Sequence, residues 1–143
     1  MKINIIYDSK HGNGEKIAEE LMDMIKERGY EAHIYNAKNT KPDKVGEADL
    51  YIFGSPTHLR GPSRRMRRII KKTPFSEKGL KYALFTTSSN GKGKAANKME
   101  KMLDEKGLKK HGTNLDLRLK GKKGPLEEGY RNKIEQFCEE FAG

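Results

Sequence analysis

The sequence predicts an α/β fold, a three-layer α/β/α sandwich with a parallel sheet between two layers of helices. Apolar runs of strand length alternate along the chain with segments whose apolar residues recur at helical spacing. Polar turns follow three of the predicted strands directly. Right-handed crossovers leave few ways to connect such a sheet. At 143 residues, we expect one domain over residues 1–143.

The chain opens with a predicted strand and helix. The strand, from Ile3 to Tyr7, is β-branched and aromatic, which is typical of a buried central strand. The helix that follows is indicated by apolar residues at helical spacing, namely Ile17, Leu21, Met24 and Ile25.

The turn between them, from Ser9 to Gly14, is interpreted as a phosphate-binding loop. A helix that starts after a short turn leaves its first N–H groups unpaired, and its dipole favours an anion there. Glycines let the backbone approach such an anion, while Ser and Asn can donate hydrogen bonds. Neither G-x-x-x-x-G-K-[ST] nor G-x-G-x-x-G is present, so an ordinary capped βα loop remains the alternative.

Two more predicted strands follow. Residues 31–36, EAHIYN, alternate polar and apolar, which indicates a half-buried strand at a sheet edge. A turn-rich connection over residues 37–48 leads to a third strand over residues 50–53. The run GSPTHLRGPS, residues 54–63, has two prolines and two glycines and is predicted to be a loop at the end of that strand.

The rest of the chain repeats the strand and helix alternation. A short basic helix is marked by Met66, Ile69 and Ile70. A fourth strand, from Tyr82 to Phe85, opens into the polar loop TTSSNGKGK. A third helix ends near Gly107, a fifth strand runs from Leu115 to Leu119, and a last helix follows Pro125. Its apolar face carries Ile134, Phe137, Cys138 and Phe141.

The composition is strongly basic, with a formal net charge of +10. One dense cluster contains no acid, and its members are Arg60, Arg64, Arg65, Arg67, Arg68, Lys71 and Lys72. Such a field attracts phosphates, acidic proteins or nucleic acid. With a single cysteine, Cys138, no intrachain disulfide is possible. No membrane span or signal peptide is recognised, so we expect a cytoplasmic protein, and we assign no metal ligand or catalytic residue.

Three loops resemble the FMN-binding loops of the short-chain flavodoxin family. The resemblance is carried by IIYDSKHGNGEKIAEEL, YIFGSPTHLRGPS and LFTTSSNGKGKAANKM, and by the closing segment GPLEEGYRNKIEQFCEEF. It covers nearly the whole chain. It implies a flavodoxin-like, five-stranded sheet in the order 2-1-3-4-5, with FMN above strands 1 and 3.

The resemblance also implies which residues bind FMN. Around the phosphate they are Ser9, Lys10, His11, Gly12, Asn13 and Gly14. Beside the isoalloxazine they are Ser55, Pro56, Thr57, His58, Leu59, Arg60 and Gly61. At the pyrimidine edge they are Thr87, Ser88, Ser89, Asn90, Gly91 and Gly93.

The sequence departs from the family pattern at two places. His11 and Gly14 stand where the T/S-x-T-G-x-T phosphate loop has hydroxyls, and charge on Lys10, His11 and Lys16 is the suggested compensation. The flavin loops also lack the usual stacking aromatic. His58 is the one planar ring that they offer, and a solvated loop histidine is its alternative role.

The expected function is that of an FMN-binding electron carrier rather than a dedicated catalyst. One alternative is an FMN-dependent oxidoreductase acting on a quinone or a similar small acceptor, and another is a basic binding module that has lost the flavin. Acidic redox partners are expected to dock near Arg60, Arg64, Arg65, Arg67 and Arg68. Nucleic acid is not expected, because no aromatics are interleaved with the basic residues. Positive charge on Lys92 and Lys94 predicts a less negative potential for the fully reduced flavin.

Overall fold

The structure, a computed structural model, describes residues 1–59, 61–89 and 94–142 as a largely parallel sheet between helices. Its strands are β1 (Lys2–Tyr7), β2 (Glu31–Asn36), β3 (Leu50–His58), β4 (Gly61–Pro62), β5 (Lys81–Ser88), β6 (Lys109–Lys110) and β7 (Leu115–Arg118). Its helices are α1 (Asn13–Glu27), α2 (Arg64–Lys72), α3 (Lys94–Glu105) and α4 (Tyr130–Ala142). A 3₁₀ turn, Pro42–Lys44, lies between β2 and β3.

The strand order confirms the predicted topology. The sheet runs β2-β1-β3-β5-β6, and β7 also pairs with β5, further along the same side. The fifth predicted strand is therefore β7, with the two-residue β6 beside the start of β5. Leu119 does not extend β7 but forms an isolated bridge with Leu126. The predicted edge strand is β2, which pairs only with β1 among the described strands.

The two faces of the sheet bury separate apolar clusters, because successive side chains of a strand point to opposite faces. On one face Ile3 and Ile5 of β1 pack in a cluster that includes residues of α1 and α4. On the other face Ile6 packs in a cluster that includes residues of α2 and α3. Both faces of β1 are thus covered, which explains why apolar residues occur at successive positions from Ile5 to Tyr7.

β3 is longer than the sequence predicts, and the prediction that residues 54–63 form a loop is wrong. Gly54, Ser55 and Pro56 stay in register with β5, and Thr57 and His58 pair antiparallel with β4. The Ser55 hydroxyl accepts a bond from the Ser63 N–H at 3.0 Å and donates to the Pro56 carbonyl at 2.9 Å. The pairing with β5, which is distant in the sequence, overrides the turn preference of glycine and proline. β5 likewise continues through Ser88.

Gly54 lies in the part of β3 that pairs with β5. It is in register with Phe85, whose ring lies over the glycine. A Cβ atom at position 54 would overlap that ring. Phe85 is 1% exposed and belongs to the core beneath α1 and α4. The absence of a side chain at position 54 is therefore a packing requirement.

Asp116 of β7 ties the end of that strand to β5. Its carboxylate accepts hydrogen bonds from the hydroxyls of Thr86 at 2.6 Å and Ser88 at 3.0 Å. Both donors are buried. Buried hydroxyls require partners, so this carboxylate fixes the carboxyl ends of the two strands.

Candidate functional site

A cleft of about 630 Å³ opens at the carboxyl ends of β1, β3 and β5. The chain leaves β1 for β2 on one side and returns to β3 on the other, so the cleft lies at the point where strand order reverses. Its lining residues are Asp8, Ser9, Lys10, His11, Asn13, Gly14, Pro56, Thr57, His58, Thr87, Ser88, Ser89, Leu119, Lys122 and Lys123. The structure thus brings parts of all three predicted loops to one place.

The first wall of the cleft is the turn that starts α1. Gly12 has φ 88°, and its N–H donates to the Ser9 hydroxyl at 3.0 Å. The N–H of Lys16 bonds the Gly12 carbonyl at 3.1 Å, so the preceding N–H groups have no partner within the helix. A Cβ atom at Gly14 would lie 2.9 Å from the Asp8 carbonyl oxygen. This close packing explains why no hydroxyl residue stands there.

The second wall is the end of β3. Pro56, Thr57 and His58 line the cleft. The Thr57 hydroxyl is buried and has no hydrogen-bond partner among the residues that the structure describes, which is uncommon for a buried polar group. His58 is exposed. Because β4 pairs with this segment, its backbone is held by the sheet rather than by a free loop.

Four of the predicted site residues do not line the cleft. The Ser55 side chain bonds within the turn between β3 and α2, and Leu59 is 98% exposed. Gly61, with φ 108°, lies against the side chain of Lys98. Gly12 contributes the turn described above and no lining surface.

The third wall is the end of β5, where Thr87, Ser88 and Ser89 line the cleft. Ser88 is also bonded to Asp116. The remaining predicted site residues, Arg60, Asn90, Gly91 and Gly93, lie outside the described residues, and so does Lys92.

The fourth wall was not predicted from the sequence. It is the turn after β7, which contributes Leu119, Lys122 and Lys123. The Asn13 side-chain amide donates to the Lys123 carbonyl at 3.1 Å and so joins this turn to the start of α1. A polar, glycine-bearing run after a predicted strand was the available signal, the same one that marked the other loops.

Charge in and around the cleft has both signs. Asp8, also missed from the sequence, lines the cleft at 6% exposure, and its carboxylate lies 3.4 Å from an Arg65 guanidinium nitrogen. Lys16 is directed elsewhere, with its ammonium 5.2 Å from the centroid of the Tyr130 ring. Burial, followed by the charges of Glu15 and Glu19, raises the pKa of the adjacent Tyr7, so that phenol stays neutral at physiological pH.

Among the described residues, no group of three or more His, Cys, Asp or Glu side chains is placed to hold a metal ion. No helix in the same ranges is long and apolar enough to cross a membrane. The polar groups of the cleft instead suit a ligand with an anionic end at the start of α1 and an uncharged body along β3 and β5.

The fold and the cleft together define a doubly wound α/β protein with a ligand site at its switch point. A family model described as Flavodoxin matches residues 5–137. The chain therefore belongs to the flavodoxin family, which implies a flavin cofactor.

Individual relatives agree with this assignment. A flavodoxin of Clostridium saccharobutylicum is 30% identical over 92 residues, which are 63% of this chain and 58% of that protein. The sulfite reductase [NADPH] flavoprotein alpha-component of Blochmanniella floridana is 34% identical over 79 residues, 55% of this chain and 13% of that protein. The matches thus span well under two thirds of either relative. The solved structure of flavodoxin 2 from Bacillus cereus has a TM-score of 0.84 at 22% identity, covering 99% of this chain and 98% of that one.

Proposed function

We propose that the cleft holds FMN without a covalent bond and that the protein carries electrons between partner proteins. The observation that carries this proposal is Thr57, which lines the same cleft as the start of α1 and whose buried hydroxyl has no hydrogen-bond partner in the described part of the chain. The end of the cleft at the start of α1 suits a phosphate, and the end at β3 offers the Thr57 hydroxyl as a hydrogen-bonding group. The cleft volume lies within the range of ordinary cofactor sites, about 300–1,000 Å³.

FMN supplies the redox chemistry when bound, and the protein supplies binding, orientation and electrostatics. In this proposal the Ser9–Gly14 turn holds the phosphate, and Pro56, Thr57 and His58 form one side of the ring site. Thr87 and Ser89 border the opposite side. No Phe, Tyr or Trp lines the cleft in the described ranges, so contact with the ring relies on His58 and on backbone surface.

Titration with FMN tests the proposal. We expect the protein to quench the fluorescence of FMN, and we expect Thr57→Val to weaken binding about fivefold, because one hydrogen bond contributes about 1 kcal/mol. The substitution keeps the side-chain shape. Thr40→Val, in the connection after β2 and outside the cleft lining, is the control and should bind as the wild type does. Absence of quenching at millimolar FMN would contradict the proposed function.

The basic surface of α2 supports a proposal about the partners. A groove of about 810 Å³ separates α2 from α3, and its lining is Arg64, Arg67, Arg68, Ile70, Lys71, Lys72, Lys98, Met102, Glu105 and Lys106. Lys106 is engaged with the carbonyls of Ile70, Lys71 and Thr73 at the end of α2. Within the described ranges, no carboxylate lies within 4 Å of the charged groups of Arg64, Arg67 or Arg68. We propose that acidic redox partners dock on this surface, around Arg64, Arg65, Arg67 and Arg68 beside the predicted Arg60.

The sign of the salt dependence tests the docking surface. The reduced, FMN-loaded protein should lose rate with ferricyanide, an anionic oxidant, as salt rises, and should gain rate with hexaamminecobalt(III), a cation. Arg64→Gln/Arg68→Gln should lower the rate with ferricyanide about threefold at low salt and so flatten its salt dependence. The effect is modest because each exposed charge contributes less than about 1 kcal/mol. Lys81→Gln/Lys109→Gln, at the amino end of β5, removes the same charge and should leave the response unchanged. Equal effects of the two pairs would rule out a localised docking surface.

A further inference from the structure

The turn after β7 is fixed against the start of α1 by a hydrogen bond and by close packing at Gly124. Besides the bond from the Asn13 amide to the Lys123 carbonyl at 3.1 Å, Gly124 has φ 105°. A Cβ atom at position 124 would lie 2.7 Å from Asn13 Oδ1. Any other residue at position 124 would press on Asn13, so glycine there allows the turn to reach the helix. Lys122 and Lys123 are thereby held at the same end of the cleft as the phosphate turn.

Several of the side chains assigned to the phosphate from the sequence already have other contacts. The Ser9 hydroxyl accepts the Gly12 N–H and keeps its own proton to donate, and one N–H of the Asn13 amide is bonded to Lys123. Position 14 has no room for a hydroxyl residue. Lys16, suggested as a compensating charge, lies over Tyr130. Lys10 lines the cleft, and any further positive charge for a phosphate at the start of α1 comes from another part of the chain.

The charges that line the cleft supply it. Lys10, Lys122 and Lys123 oppose the single carboxylate of Asp8, which Arg65 offsets at 3.4 Å. A phosphate monoester carries about 1.5 to 2 negative charges near pH 7. The excess of positive charge at this end matches that ligand, whereas the uncharged riboflavin would gain little from it.

We propose that Lys122 and Lys123 form the phosphate-recognition site of the cleft, so that the protein selects a phosphorylated flavin by charge from a fourth loop in place of the missing hydroxyls. This inference rests on the proposed function. The two lysines bind the ligand, and Asn13 and Gly124 are positioning residues that hold their turn.

The test compares FMN with riboflavin. Lys122→Gln/Lys123→Gln should weaken FMN binding about tenfold at low salt, equivalent to about 1.4 kcal/mol, and should leave riboflavin binding within about twofold of the wild type. Lys81→Gln/Lys109→Gln removes the same charge at the opposite end of β5 and should change neither affinity. The FMN affinity of the wild type should also fall more steeply with salt than that of the Lys122/Lys123 variant. Thermal melts of both variants check that the fold is kept.

Three results would overturn the inference. First, the FMN affinity of the Lys122/Lys123 variant could fall no further than that of the control. This result would reject the lysine site but not the proposal that the cleft binds FMN. An equal loss for riboflavin would show that the turn acts on the ring or on the fold rather than on the phosphate. A wild-type protein that binds neither flavin would reject the proposed function and this inference with it.

Discussion

Replacing Gly54 with alanine is expected to lower the free energy of unfolding by about 3 kcal/mol, at the upper end of overpacking effects in cores. The added Cβ atom would overlap the ring of Phe85, which is 1% exposed. Either β3 and β5 must separate or the ring must leave its rotamer. Urea denaturation followed by circular dichroism measures the change.

A double-mutant cycle separates this clash from a general effect of the substitution. Phe85→Leu alone should destabilise by creating a void, but combined with Gly54→Ala it should cost about 1 to 3 kcal/mol less than the sum of the two single changes. Gly121→Ala is the matched control, since a Cβ atom there meets only the Gly124 carbonyl oxygen at an ordinary 3.4 Å. Strictly additive single changes would show that the ring does not occupy the space above Gly54.

Asp116→Ala is expected to destabilise the protein by about 2 to 4 kcal/mol. The change leaves the Thr86 and Ser88 hydroxyls without their acceptor, and each buried unsatisfied group costs about 1 to 3 kcal/mol. Because Ser88 also lines the cleft, the third wall should loosen with the sheet. Equilibrium unfolding in urea measures the loss.

The same network provides an internal control. Removing the donors as well, in Thr86→Val/Ser88→Ala/Asp116→Ala, should restore most of the stability, since replacing all partners of a hydrogen bond is far less costly than replacing one. Asp116→Asn should fall between the wild type and Asp116→Ala, because its amide keeps one acceptor oxygen. A triple variant as unstable as the single Asp116→Ala would mean that the carboxylate stabilises the strands in some other way.

The layers and the strand order were predictable because their signals are local and periodic. β1 is apolar at Ile3 and from Ile5 to Tyr7 because both of its faces are covered, and α1 repeats its apolar residues on one face. Once strands and helices alternate, handedness limits the connections to few choices. The match of GSPT and of the three loops to a known family then supplied the order.

The details of the cleft were harder to predict because they depend on contacts between distant residues. The end of β3 contains glycine and proline, which favour turns locally. That this segment is a strand is evident only from its register with β5 and from the bond that the Ser63 N–H donates to Ser55. Lys122 and Lys123 are about 110 residues from Asn13 in the sequence. No local pattern predicts that the turn after β7 contacts the start of α1. Asp8 was not predicted because its contact with Arg65 joins two residues that are far apart in the sequence.

The pairing of β4 with the end of β3 has a consequence for ligand affinity. Thr57 and His58 belong to a hydrogen-bonded ladder before any ligand arrives, so the backbone beneath the ring site has little conformational entropy left to lose on binding. A rigid wall of this kind reduces the cost of association. Preorganisation of the main chain thus offsets part of the contact energy that an aromatic side chain would supply, since none lines the cleft among the described residues.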